Sequence, residues 1–184
     1  MFRLTVKQGW QIFLAVAITG IFLRVFLIDT FFVSGNSMSP LIREHDYIFV
    51  NKFAYRFRGE PERNDVVVSR FRKDAFSDSH SPRTVKRVIG LPRERVEIMP
   101  EKVVIKKTRT DTGFALEETS YLALANLPLN GTSTVVLDPE EYFLLGDNRF
   151  VSTDSRELGP VDKWNLDGKV FFIIRPRSLS FFFL

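Results

Sequence analysis

The chain has 184 residues and no cysteine, which excludes disulfides, a thiol nucleophile and cysteine-based zinc sites. Histidine is scarce as well. His45 and His80 are the only two, too few for a multi-histidine metal centre, so neither a metal nor another cofactor is expected. The net charge is +4, yet no basic helix and no aromatic RNA-binding signature accompanies it. The basic balance therefore points to anionic lipid as a partner and away from nucleic acid. Internal repeats and low-complexity domains are missing, and the long hydrophobic run is confined to one end.

What remains is a chain that is 45% hydrophobic and 26% charged, enough for one domain with a real core plus an anchor. Aromatics make up 14%, most of them phenylalanine. From Trp10 to Ile28 the sequence is almost wholly apolar, with Arg24 its one charge. At ~1.5 Å per residue, a helix of ~20 residues covers a ~30 Å hydrocarbon layer. Trp10 suits the headgroup level, and Arg3 and Lys7 before it mark that end as cytoplasmic. The expected organisation is a cytoplasmic N-terminus over 1–9, a single-pass transmembrane signal-anchor helix over 10–28 and an extracytoplasmic domain over 29–184. A cleaved secretory signal would end in a small-x-small site, which Ile28 to Phe32 does not offer. A buried core helix would carry a polar stripe. Arg24 is expected near the outer end, reaching to the headgroups.

Beyond Phe32, β character dominates. Strands are predicted at Tyr47–Val50, Asp65–Phe71, Thr84–Ile89, Arg95–Ile98, Lys102–Lys106, Thr134–Leu137, Tyr142–Leu145 and Val170–Ile174, with glycine and proline between many of them. Short strands with turn signals imply a mainly β fold, a compact barrel or sandwich following the N-terminal helix. Lys73 to Arg83 is polar and serine-rich and reads as a loop. Residues 108–131 are the least regular and read as a small appended region. The Phe181–Leu184 tail is too short to span a bilayer and can dip into lipid or pack on the domain.

Three segments carry chemistry. Ser34-Gly-Asn-Ser-Met-Ser-Pro40 brackets Ser37 with turn formers, and such a turn can expose a hydroxyl and aim backbone N–H groups at one point. Its bland alternative is a linker. Thr84 to Pro92 places Lys86 inside an apolar strand pattern, where alternation sets Lys86 with Thr84 and Val88, and Arg87 with Val85 and Ile89. A lysine serving as base near neutral pH needs its pKa lowered by ~3 units, which desolvation can do. Otherwise it is a solvated edge residue. Gly146 to Arg156 carries Asp147, Asn148, Arg149, Ser152, Asp154 and Arg156, whose charges can pair with one another. The alternative there is a polar surface turn with ion pairs worth under ~1 kcal/mol each. Calcium-loop spacing with its closing glutamate is missing.

Taken together and in this order, these segments resemble the bacterial type I signal peptidase family. That family's nucleophile box, Ser-Met-x-Pro-Thr, is matched by Ser37-Met38-Ser39-Pro40, with Leu41 where threonine is usual. Its base box, Lys-Arg-x-x-Gly-x-Pro-Gly-Asp, is matched by Lys86 to Pro92, with Arg93 and Glu94 in place of Gly-Asp. Its last box, Gly-Asp-Asn-Arg-x-x-Ser-x-Asp-Ser-Arg, is met at every fixed position from Gly146 to Arg156. Arg63-Asn64-Asp65-Val66-Val67-Val68 matches an intermediate Arg-Gly-Asp-Val-Val-Val box except at Asn64. The resemblance runs from the anchor to about Phe172.

The resemblance implies a membrane-bound serine endopeptidase that removes signal peptides from secretory precursors after small-x-small sites. Ser37 would be the nucleophile and Lys86 the general base. Ser152 would orient the lysine amine, and the Ser37 N–H would supply an oxyanion donor. Gly35 stands where some relatives place a second, hydroxyl donor. Arg87 with Asp147, and Asp154 with Arg156, would hold the base strand against the last box, with Asn148 capping the same turn. Val33, Met38 and Val85 would line small substrate pockets. The partners implied are signal peptides and the lipid bilayer of the plasma membrane. Three rivals remain: a hydrolase using His45 beside Asp46, a self-cleaving repressor-type serine–lysine protease, and an anchored scaffold without activity.

Overall fold

The computed structural model describes residues 5–22, 27–56, 59–71, 82–107, 111–122 and 132–184. Arg24, His80, most of the predicted loop over 73–83 and both flanks of the 108–131 region lie outside the described residues.

The apolar N-terminal run forms helix α1, Val6–Phe22, capped by Thr5, whose backbone N–H donates to the Gln8 side chain at 2.9 Å. The expected span over 10–28 is corrected at its far end, because Ile28 already belongs to strand β1, Ile28–Phe32. That strand pairs antiparallel with β2, Tyr47–Asn51, setting Ile28 opposite Asn51 and Phe32 opposite Tyr47. Pairing overrides the apolar run here, since a strand edge satisfies the backbone that a helix would otherwise satisfy internally. At 17 residues α1 measures about 26 Å. Among the described residues, no helix is long and apolar enough to cross a membrane.

The remainder is mainly β, as expected. After β2 come a one-turn helix α2 (Phe53–Arg56), β3 (Val66–Arg70), β4 (Arg83–Gly90), β5 (Arg95–Met99), β6 (Lys102–Lys106), β7 (Phe114–Ala115), β8 (Ser133–Val136), β9 (Glu141–Leu145), a one-turn helix α3 (Ser155–Leu158), β10 (Val161–Asp162), β11 (Leu166–Arg175) and β12 (Ser180–Phe183). The larger sheet runs β1-β2-β11-β3-β4-β9-β10, with β12 also on β11. The smaller runs β7-β6-β5-β8. The pairs β3–β4, β4–β9 and β5–β6 are antiparallel, which permits short connections such as the one between β5 and β6.

Alternation along β3 sends Val66 and Val68 into a core with Met38, Ile42, Ile48, Val50, Val170 and Ile173. Val67 goes to another core with Phe71, Val88, Tyr142, Leu144, Val161 and Leu166. The larger sheet is thus buried on both faces at its centre, where β4 lies. A third core, with Val96, Ile98, Val103 and Ile105 of the smaller sheet, takes in Ile89, Phe143 and Leu145 and fastens the two sheets together. The C-terminal tail packs on the domain: Leu179, left-handed at φ 50°, turns the chain, and Phe183 lies 4.6 Å from the Phe172 ring.

Candidate active site

Strand β4 sits between β3 and β9, with Lys86 opposite Val67 and Arg87 opposite both Val66 and Leu145. A lysine in that position loses its water, and Lys86 is only 3% exposed. Burial pushes its pKa below the usual ammonium range; Asp154 and Asp147 oppose the shift and Arg156 adds to it. Lys86 Nζ donates to Ser37 Oγ at 3.1 Å and to the Val85 carbonyl at 3.1 Å. Once the amine is neutral, the same contact lets the Ser37 hydroxyl donate to nitrogen, which is the geometry a general base requires.

Ser37 is held from both sides. Met38 beside it is buried in the core of β2, β3 and β11, so the hydroxyl-bearing turn is anchored through its neighbour. The Ile42 N–H donates to the Met38 carbonyl at 2.9 Å, closing a turn after it. The Ser37 carbonyl accepts from the Asn148 N–H at 2.9 Å, which ties the nucleophile segment to the last box. Asn148 thus contributes its backbone here. Gly146 lies so close that a Cβ would stand 2.5 Å from the Ser37 carbonyl oxygen and 2.2 Å from Ser152 Oγ, which explains glycine at this position. Gly35 has φ +98°, and open space surrounds the place where its Cβ would be. Conformation, not crowding, therefore selects glycine there.

The last box is not a surface turn. Asp147, Arg149, Ser152, Asp154 and Ser155 are all buried. Arg87 makes a two-pronged contact to Asp147, Nε to Oδ1 at 2.8 Å and Nη2 to Oδ2 at 2.7 Å, and its Nη1 donates to the Asn64 carbonyl at 2.9 Å. Burial pushes the Asp147 carboxyl up against the opposing pull of Arg87. Asp154 caps α3, pairs with Arg156 at 2.8 Å and accepts from the Gly146 N–H at 3.0 Å. The Arg156 guanidinium also donates to the carbonyls of Arg149 and Ser152. Arg149 also reaches outside the box, to Glu118, 31 residues upstream. The Ser152 hydroxyl is buried without a hydrogen-bond partner.

Val33, Met38 and Val85 all line a cavity of about 190 Å³ that opens beside Ser37 and Lys86, with Phe31, Val68 and Arg83 among its other walls. His45 and Asp46 do not form a unit. The His45 ring lies 5.5 Å from Phe32, while the Asp46 carboxylate is taken by Arg175 at 2.9 Å and the Arg43 N–H at 2.9 Å. Sequence reasoning missed Glu118 and Tyr121, both in the 108–131 region. The adjacent acids Glu117 and Glu118 carry no pattern that could have announced an arginine so distant in sequence.

A hydroxyl in contact with a buried, easily neutralised amine, beside a small cavity, has the parts of a hydrolase site. The signal peptidase family, peptidase S26, matches residues 5–175. Signal peptidase I of Rickettsia massiliae is 32% identical, over 92% of this chain and 79% of its own. Signal peptidase I of Bacillus licheniformis is 32% identical over 86% and 83%, and signal peptidase IB of Staphylococcus aureus 30% over 92% and 90%. A crystal structure of a signal peptidase I from Enterococcus faecalis, 27% identical, aligns over 60% of this chain and 96% of that one with a TM-score of 0.46. The chain belongs to the peptidase S26 signal peptidase family, and so to the proteases.

Proposed function

We propose that this protein removes signal peptides from secretory precursors with a serine–lysine dyad, Ser37 and Lys86. The observation that carries the reading is the 3.1 Å contact between Ser37 Oγ and the buried Lys86 amine. Neutral Lys86 takes the hydroxyl proton as Ser37 Oγ attacks the scissile carbonyl. The tetrahedral oxyanion is met by the Ser37 N–H. Lys86 then gives the proton to the departing amine, leaving an acyl ester on Ser37. Water attacks that ester with Lys86 as base again, and the signal peptide leaves as a carboxylate while Ser37 regains its proton. A protonated lysine has three N–H groups to place. Ser37 Oγ and the Val85 carbonyl take two, and the unpartnered Ser152 hydroxyl is assigned the third, which is how it would orient the base.

The cavity walled by Val33, Met38, Val68 and Val85 beside the dyad gives small apolar side chains ahead of the scissile bond a place to sit, which supports small-x-small cleavage. Helix α1 exposes Trp10, Ile12, Phe13, Leu14, Val16, Ile18 and Ile21 on all sides, a surface that water does not favour and lipid does. We assign it to a single-pass anchor in the plasma membrane. Lys7 lies on the cytoplasmic side and the β domain outside. Exposed Phe32, Phe181 and Phe183 on β1 and β12 extend the apolar surface toward the same bilayer. Holding the site there raises the local concentration of emerging cleavage sites.

The test is cleavage of a precursor bearing an Ala-x-Ala site by detergent-solubilised protein. Wild type is expected to cut after the second alanine, Ser37→Ala and Lys86→Met to fail, and His45→Ala to cut normally. Loss of activity in His45→Ala alone, or a wild type that never cuts, would sink the dyad.

A further inference from the structure

We propose that Glu118 is a positioning residue for the nucleophile, acting through Arg149 and Tyr121 on the turn that holds Ser37; the proposal rests on the dyad reading above. Glu118 lies in the segment that follows β7, within the stretch of the chain that sequence patterning left without a role. The segment is fastened at both ends. The Leu116 N–H donates to the Val103 carbonyl at 2.8 Å, the Leu122 N–H donates to the Glu118 carbonyl at 2.8 Å, and Leu116 and Tyr121 pack against the core of the smaller sheet.

From that base Glu118 reaches two arginines. Its carboxylate takes the Arg149 guanidinium directly, and it accepts from the Tyr121 hydroxyl at 2.9 Å. The Tyr121 ring in turn lies 4.0 Å from the Arg87 guanidinium carbon, in cation–π contact. The two arginines grip consecutive residues of one turn. Arg149 Nε donates to the Gly146 carbonyl at 3.0 Å, and Arg87 holds the Asp147 carboxylate. The next residue, Asn148, donates its N–H to the Ser37 carbonyl, and Gly146 packs against that same oxygen without room for a methyl group. A displacement of this turn is therefore a displacement of Ser37.

Glu118 is also the ion-pair partner of a deeply buried charge. The Arg149 side chain is 1% exposed, and its Nη1 already lacks a partner. Without Glu118, a buried guanidinium keeps its charge and loses its directly paired carboxylate, a costly state that is relieved by swinging toward water. That swing releases the Gly146 carbonyl. In this reading, the smaller sheet sets the alignment of Ser37 with Lys86 as well as adding to stability.

The experiment compares wild type, Glu118→Ala, Glu118→Gln and Tyr121→Phe on the same precursor, with kcat and KM separated and folding checked by circular dichroism. Ångström-scale misplacement of a reacting group costs up to ~100-fold in rate, so Glu118→Ala is expected to lose about tenfold or more in kcat with KM within about twofold. Glu118→Gln, which keeps an acceptor for both partners, is expected to recover most of that loss. A folded Glu118→Ala protein with wild-type kcat overturns the proposal whatever its melting temperature. If Glu118→Ala fails to fold, Tyr121→Phe decides: it keeps the ring on Arg87 and loses only the bond to Glu118, and a kcat fall of about threefold at constant KM supports the proposal, while no change overturns it. A wild type that does not cut, or a Ser37→Ala variant that does, sinks the dyad and this proposal together. Normal dyad results with unchanged Glu118 variants sink this proposal alone.

Discussion

Lys86 and Arg87 are neighbours on one strand, both buried cations, and their surroundings could hardly differ more. Arg87 meets a carboxylate with two prongs, a backbone carbonyl and an aromatic ring, so its charge is fully answered. Lys86 meets a hydroxyl and a carbonyl, while the nearest carboxylates are already engaged by arginines. Removing water from both has opposite consequences. The arginine cannot give up its proton, so burial without a counter-ion would be ruinous and the fold supplies one. The lysine can, so burial without a counter-ion drives it toward the neutral amine. One cation holds the architecture, and the other is left short of partners, as the proposed base must be.

Exchanging the two chemistries is the strongest way to break this contrast. Lys86→Arg keeps the charge and removes the base, and Ser37→Ala removes the nucleophile. Either is expected to lower kcat by about 10³-fold or more, measured by single-turnover precursor cleavage. Next in size, Asp147→Asn leaves Arg87 buried and unanswered. Its unfolding free energy in urea should fall by ~3–5 kcal/mol, whereas a value under ~1 kcal/mol would mean that the pair behaves as a surface bridge.

The pH dependence sharpens the contrast at Lys86. With its pKa lowered in the folded state, kcat/KM should rise with pH as Lys86 loses its proton. Between the lowered folded value and the ordinary lysine value, the unfolded chain binds the extra proton, so stability also rises with pH across that window. Lys86→Met should flatten this part of the stability profile and raise the melting temperature near neutral pH by a few degrees, equivalent to ~1 kcal/mol, while abolishing cleavage. A lower melting temperature would mean that the lysine's two hydrogen bonds outweigh its desolvation.

The smallest expected effect lies at the departures from the family boxes. Arg93 and Asn64, which stand where the family places glycine, have φ of 67° and 73°. Asparagine tolerates that region and arginine does so poorly. Arg93→Gly should therefore stabilise the chain by ~0.5–1 kcal/mol in urea unfolding, and Asn64→Gly by less, with cleavage unchanged.

Much of this arrangement was legible in advance. Period-two alternation and turn residues located β2 to β6, β8, β9 and β11, since these strands place side chains in a core between turn-forming residues. The β1 strand was not legible, because an apolar run that continues a helix looks the same as one that joins a sheet. The two-residue strands β7 and β10 are too short to show a period, and β12 takes its structure from its partner β11. At the site, the boxes pointed to Ser37 and Lys86, which the fold brings to 3.1 Å, and to the pairing of Arg87 with Asp147. They did not announce Glu118, which reaches Arg149 from a segment 31 residues upstream.

The sequence by itself determined which groups are available: serines in a turn-rich segment, a lysine in an apolar strand, no thiol, and charges of both signs in one box. Those are matters of composition and local pattern, and local rules read them. Tertiary structure decided which of those charges are answered. Burial, the register that sets Lys86 opposite Val67, and the docking of Glu118 from 31 residues away all depend on contacts between elements distant in the chain. Whether a buried cation becomes a brace or a base is fixed by which anions reach it, and no local pattern encodes that.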